Sequence, residues 1–237
     1  MKILPIPFTE GMVKSLLQNL KRMTRRTGGL EKVNENPDDW EFIFIGYNPE
    51  DVNDGTICAY FKLLGFSTWI YLKSKYQIGD KLWVKEMYTT LVPEHLVGPL
   101  KTKYVYKADC DAESEQTRKD YVAQGYPYKW ISGRFMPKAA ARTWLEVTEI
   151  KCERLQDISP EDCIAEGILP LNMSAAQLAE QGQKYFDYSK PKQFFVDGLD
   201  PFWSFNSLWC SINDSESWDA NPWVFVYEFK RIERPAG

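Results

Sequence analysis

The chain is poor in the residues that hold metals. It carries one histidine, His95, and five scattered cysteines, Cys58, Cys110, Cys152, Cys163 and Cys210, no two of them in a CxxC pair. A zinc site needs closely spaced nitrogen and sulfur ligands, and no clustered acidic motif marks a carboxylate-bound ion. Neither a metal nor an organic cofactor is therefore expected. Odd, scattered thiols also speak against a disulfide framework and suit small apolar fillers in a reducing cytoplasm. With a single histidine, a serine–histidine mechanism is disfavoured. No apolar run approaches the ~20 residues of a membrane helix. Met1 to Phe8 lacks the apolar core and small-residue cleavage site of a secretory signal. The reading is cytoplasmic, with no membrane partner. Nor is there a basic excess: a net charge of −4 argues against a general DNA-coating protein, though not against a local basic patch.

Aromatic residues are what the sequence has in quantity. Nine Trp, thirteen Tyr and thirteen Phe suit sheet packing and suit equally a site that stacks planar rings. Periodicity then places the elements. Thr9 caps a helix with an apolar stripe at Met12, Val13, Leu16, Leu17 and Leu20, and the element is expected to run through a basic stretch to Gly28-Gly29. Strands are expected at Trp40 to Ile45, Thr56 to Lys62, Thr68 to Lys73, Lys81 to Met87, Thr143 to Lys151 and Pro222 to Ile232. In the Thr143 strand, Trp144, Glu146, Thr148 and Ile150 oppose Leu145, Val147 and Glu149. Residues 109–129 read as a polar excursion. Ser159-Pro160-Glu161-Asp162 opens a short helix that ends by Gly167, and further helices are expected at Ala175 to Gln181 and around Phe202 to Ile212. Many short strands with a few helices predict an α+β fold around a small closed or nearly closed barrel, as a single domain.

Two charged features stand out. Lys21-Arg22-Met23-Thr24-Arg25-Arg26 follows the first helix. A solvated basic helix end, favoured by the macrodipole at about 0.3–1 kcal/mol per cation, is the plain account of Lys21 and Arg22. Glu166 falls at a helix C-terminus, where the dipole disfavours a carboxylate, and apolar Ile164 and Ile168 flank it. It calls for a cationic partner, either as a structural salt bridge to Arg26 or Lys21 or as part of a ligand pocket.

Four segments resemble the ASCH family of the PUA-like superfamily. They are Lys21-x-x-Thr24-x-Arg26, Gly79-Asp80-Lys81-Leu82-Trp83-Val84-Lys85-Glu86, the stretch from Leu145-Glu146-Val147-Thr148 to Glu166-Gly167, and Trp223-Val224-Phe225-Val226-Tyr227-Glu228-Phe229. The resemblance implies a PUA-like small β-barrel with surrounding helices and insertions at about 27–78, 88–130 and 170–200. Long members of this kind, and Trp130-Ile131-Ser132-Gly133-Arg134-Phe135-Met136-Pro137, are similar to bacteriophage and prophage sequences, which implies work in a bacterial host cytoplasm.

The family implies a pocket with Lys21, Thr24 and Glu166 as its catalytic set if the protein is an amidohydrolase that deacylates N4-acetylcytidine. Thr24 would attack, Lys21 would accept its proton if desolvation lowers its pKa, and Glu166 would protonate the leaving amine. Arg26 would position the ligand or meet developing charge. The same set could bind without cutting, with RNA, DNA or a modified nucleoside as partner. Trp83, Trp130 and Phe135 are candidate stacking rings or simply core, Arg134 is a phosphate contact or a plain loop arginine, and Glu86 joins the ligand-binding set. Binding is the preferred expectation. Amidohydrolase activity is one alternative; a scaffold for a host protein is the other, to be marked by an apolar patch from residues 170–200.

Overall fold

A computed structural model describes residues 1–50, 55–91, 103–123, 129–189 and 198–235. His95 lies outside the described residues. The chain is α+β. Its ten strands form open sheets among the described residues: a five-stranded sheet, a three-stranded sheet and a hairpin. The closed barrel expected from the number of short strands is not what these ladders make, because pattern reveals strands but not which edges join.

The chain enters through β1 (Ile3–Pro7) and α1 (Glu10–Leu17), whose N-cap is Thr9, as expected. The basic run then departs from expectation. The helix stops at Leu17, the chain reverses through Asn19 at φ 60°, and Met23–Arg26 is a strand, β2, rather than a helix end. Helix α2 (Glu31–Asn34) leads to the antiparallel meander β3 (Trp40–Tyr47), β4 (Ile57–Leu63) and β5 (Trp69–Lys73). Strand β6 (Lys81–Lys85) follows a turn in which the buried Asp80 carboxylate accepts from the backbone N–H of Lys2, at 2.7 Å, and of Gln77, at 2.9 Å. That clasp sets β1 parallel to β6.

A hairpin, β7 (Tyr88–Leu91) with β8 (Lys103–Tyr106), precedes α3 (Ala112–Ala123). The polar excursion expected at 109–129 is thus helical from Ala112 to Ala123. The long β9 (Trp144–Arg154) passes to α4 (Pro160–Ala165), capped by Ser159, and α5 (Ala175–Gln181), α6 (Pro201–Asn213) and α7 (Ser215–Asp219) lead to β10 (Trp223–Ile232).

The five-stranded order is β1-β6-β9-β10-β2. Because β10 is interior, both its faces are buried, which is why it reads as a nearly continuous apolar run. Trp223, Phe225, Tyr227 and Phe229 enter one core with α1 and the meander. Val224 and Val226 enter a second core with α4 and α6. Opposite β10 the strict alternation expected for β9 breaks. Phe229 pairs with Val147 and Glu228 with Glu149, so Thr148 is an extra, bulged residue. The bulge turns Ile150 to the same core as Val147 instead of opposing it. Between the two edge strands, the Arg26 guanidinium on β2 donates to the Pro7 carbonyl on β1 at 2.8 Å.

Candidate functional site

The strand β2 is short because it is a bracket between three elements. Leu20 N–H donates to the Ser15 carbonyl, Arg22 N–H to the Ala165 carbonyl at 2.8 Å, and Phe229 N–H to the Arg22 carbonyl at 2.9 Å. Alternation along the bracket then sorts its side chains, Met23 and Arg25 to one face, Thr24 and Arg26 to the other.

Lys21 and Glu166 meet, as their positions suggested. The ammonium donates to Glu166 Oε2 at 2.9 Å and to the Glu166 backbone carbonyl at 2.6 Å. Their side chains are 0% and 2% exposed. Burial pushes the Lys21 pKa below its usual value. Glu166 pulls the other way, while Arg26 and Arg25 reinforce the lowering. Glu166 is the C-cap of α4, so its own backbone end adds the carbonyl that holds Lys21.

The second cation on Glu166 is Arg25, not Arg26. Arg25 is also fully buried and donates to Glu166 Oε1 at 3.3 Å, Asp162 Oδ2 at 2.7 Å and Glu153 Oε1 at 2.6 Å. Burial opposes its charge, but Glu166, Glu153 and Asp162 together raise its pKa above an ordinary arginine's. Arg25 lies among three basic neighbours, and nothing in that run marks it until the run is known to be a strand. Then its place on the Met23 face sends it toward α4.

A cleft opens beside this hub, between β2 and α6. Its larger lobe, about 180 Å³, is lined by Arg25, Arg26, Lys75, Tyr76, Trp209 and Asn213, among others. A smaller lobe of about 30 Å³ touches Thr24, Glu166, Phe205 and Leu208 and shares Arg25, Arg26 and Trp209. By volume the smaller lobe holds about two water molecules. The larger lobe has three cations and, among the described residues, no carboxylate. Arg26 lies over the Phe8 ring at 5.6 Å, and burial lowers its pKa against the pull of Tyr76 and Glu166. Tyr76, pushed up to about 12 chiefly by burial, donates to the Pro5 carbonyl at 2.9 Å. Thr24 is buried, lines the small lobe and makes no side-chain hydrogen bond among the described residues. Lys21 bonds Glu166, not Thr24, so the proton acceptor and the hydroxyl are not joined.

The other candidates lie apart from the cleft. Trp83 is buried in a third core with Trp144 and Met136. Glu86 is buried and receives Arg142 through two bonds of 2.9 Å, an internal ion pair. Trp130 donates its indole N–H to Glu115 at 3.0 Å. Arg134 and Phe135 are exposed on a short 3₁₀ turn, and the Arg134 carbonyl accepts from the Lys85 ammonium. Over 170–189 and 198–200, Leu178 is the one large apolar side chain exposed, and the rest of the segment expected to form an apolar patch, 190–197, lies outside the described residues.

Among the described residues no group of histidine, cysteine and acidic side chains is arranged to hold a metal, and no helix is long and apolar enough to cross a membrane. No family model, curated protein or solved structure matches the chain.

Proposed function

We propose that the cleft between β2 and α6 binds a nucleotide without cutting it. The observation that carries this reading is the larger lobe: Arg26 and Lys75 line it beside Tyr76 and Trp209, with no lining carboxylate among the described residues. Cations meet phosphate, rings meet a base, and the Asn213 amide can read a base edge. At about 180 Å³ the lobe is smaller than the roughly 300–1,000 Å³ of sites that swallow a whole drug-sized ligand. It takes one base or one phosphate and leaves the rest of the ligand outside.

The resemblance to the ASCH family supports the same class of ligand, and the hydrogen bond from Arg26 on one edge strand to Pro7 on the other supports a PUA-like plan for the five-stranded sheet. In this reading the protein is of phage type and works in a bacterial cytoplasm. Hydrolysis of N4-acetylcytidine is the second reading, favoured by one observation. A fully buried lysine with a lowered pKa lies three residues from an unbonded threonine hydroxyl. Against it, Glu166 occupies that lysine through two hydrogen bonds.

Calorimetric titration with cytidine, cytidine monophosphate and N4-acetylcytidine, with chromatography of the products, tests both. Binding predicts that the monophosphate outcompetes the nucleoside, that Arg26→Met weakens it by about 1–3 kcal/mol, and that nothing is hydrolysed. Equal affinity for nucleoside and monophosphate would refute the phosphate contact. Deacylation by the wild type, lost in Thr24→Val, would replace the binding reading with the hydrolytic one.

A further inference from the structure

The three-stranded sheet has one face in the core and one in solvent, and the solvent face is aromatic. Phe44, Tyr60 and Tyr71 stand opposite one another across β3, β4 and β5. Phe44 is 46% exposed, and Trp69, two residues before Tyr71 on the same face, is 50% exposed. Solvent-facing sheets ordinarily carry polar side chains at such positions, so a row of rings there marks a contact surface.

Two local devices hold the row in place. Phe42 pairs with Phe61 and Phe44 with Tyr60, which leaves Ile43 as a bulged extra residue. Strict alternation from the inward Phe42 would have turned Phe44 into the core; the bulge turns it out. Gly46 then leaves the room the rings need. A Cβ there would lie 2.7 Å from the Phe44 ring and 3.1 Å from the Tyr60 ring. As a result Phe44 and Tyr60 stack at 4.4 Å between centroids and 13° between planes, and Tyr71 continues the row at 6.0 Å.

The last strand of the row leads to the cleft. Strand β5 ends at Lys73, and Lys75 and Tyr76 just beyond it line the larger lobe with Arg26. Gly29 seals the junction, since a Cβ there would lie 3.0 Å from the Lys73 carbonyl. This flank is cationic: Lys73, Lys75, Arg26. Of the described acids nearby, Glu50 is engaged by Lys73 at 3.6 Å and by the Tyr71 hydroxyl, which leaves Lys75 and Arg26 as the cations of this flank without a carboxylate partner among the described residues.

We infer that this face is a stacking platform for single-stranded nucleic acid, with the adjoining nucleotide of the same strand entering the cleft. Bases stack on exposed rings whatever their sequence, and phosphates of the strand fall along the lysine flank. The path of the strand rests on the nucleotide reading of the cleft; the stacking chemistry of the platform does not.

Fluorescence anisotropy with a labelled mixed-sequence decamer, as RNA, as DNA and as duplex, tests the inference beside calorimetry with cytidine monophosphate. Phe44→Ala and Trp69→Ala should each weaken single-strand binding by roughly five- to a hundredfold and leave monophosphate binding unchanged, which also reports that the variants fold. Gly46→Ala, which crowds the rings without removing one, should weaken the decamer in the same direction. Preference for RNA or for DNA names the strand and supports the platform either way. Duplex bound as tightly as single strand would overturn it. So would unchanged decamer affinity in both ring variants, or a wild-type dimer that Phe44→Ala converts to monomer, since a second copy would then cover the face. Decamer binding that depends on Phe44, in a protein that ignores the monophosphate, would remove the cleft reading and keep the platform.

Discussion

Replacing Glu166 by glutamine removes one charge and almost no volume, and the structure sets the size of the response. The carboxylate holds Lys21 at 2.9 Å and Arg25 at 3.3 Å, and all three side chains are essentially shut off from solvent. With glutamine Lys21 keeps the backbone carbonyl of residue 166, an amide oxygen and the Phe8 ring at 5.2 Å but no countercharge, whereas Arg25 keeps Glu153 and Asp162. Most of the penalty therefore falls on Lys21. Breaking a buried pair and stranding one partner costs about 3–5 kcal/mol. With a urea m-value of about 3 kcal/mol/M, the unfolding midpoint of Glu166→Gln falls by about 1–1.7 M. Adding Lys21→Met removes the stranded charge, so the double variant should lose less than the sum of the singles, by a coupling of about 0.5–3 kcal/mol. The pH dependence has a definite sign. The folded Lys21 pKa lies below the ordinary value, so between the two the unfolded chain binds more protons and stability rises with pH. Loss of Glu166 removes the main raising influence and widens that window downward. The deficit of Glu166→Gln should accordingly shrink as pH rises from neutral toward the lowered pKa of Lys21 in the parent. Additive variants, a midpoint shift below about 0.3 M, or a deficit indifferent to pH would refute the stranded-cation argument.

Three further outcomes are expected. Thr24→Val removes an unbonded hydroxyl that opens onto the small lobe, at nearly constant shape, so the unfolding free energy should stay within about 1 kcal/mol of the parent; a larger loss would mean the hydroxyl is bonded in solution. Gly167 has φ 89°, and a Cβ there would lie 2.7 Å from Lys21 Cβ, so Gly167→Ala should cost about 2–4 kcal/mol in chemical denaturation and weaken nucleotide binding through Arg25 and Arg26. Hydrogen bonds from Arg118, helped by the Trp130 indole, hold Glu115 down at about 2; its contribution to stability is present above the ordinary carboxylate range and lost as pH falls toward 2. The Trp130 indole N–H resonance should titrate with that midpoint, and one near 4.5 would contradict the contact.

The helices α4 and α6 were legible because their caps and apolar spacing are local: Ser159 with Pro160 opens one, and Phe205, Leu208 and Trp209 stripe the other. The outer strands of the meander and β10 were equally plain. What pattern hid was β2, in which Met23 is the single apolar residue, since its inward-facing partner is an arginine neutralised by three carboxylates. A charge buried by pairing looks solvated in a sequence. Both bulges escaped for a related reason. Thr148 and Ile43 shift the alternation by one residue, and the partner strand, not the residue type, decides where the slip falls. Lys21 and Glu166 could be matched because Glu166 was out of place at its helix end and called for one of the nearby cations, whereas Lys75, Trp209 and Asn213 reach the cleft only through tertiary folding and carry no local mark.

The pairing of β2 with β10 sets a timetable for the site. Thr24 lies opposite Tyr227, so about two hundred residues must be made between one strand and its partner, about 10–40 s at ordinary synthesis rates. Until then nothing brackets the basic run, and Lys21 and Arg25 stay hydrated, because a cation left unpaired in an apolar core is costlier than one in water. Their partners Glu153, Asp162 and Glu166 also leave the ribosome before β10 does. The cleft can therefore assemble only after Tyr227 has been added, and a message truncated before that codon yields a chain with every charged member of the site and no site.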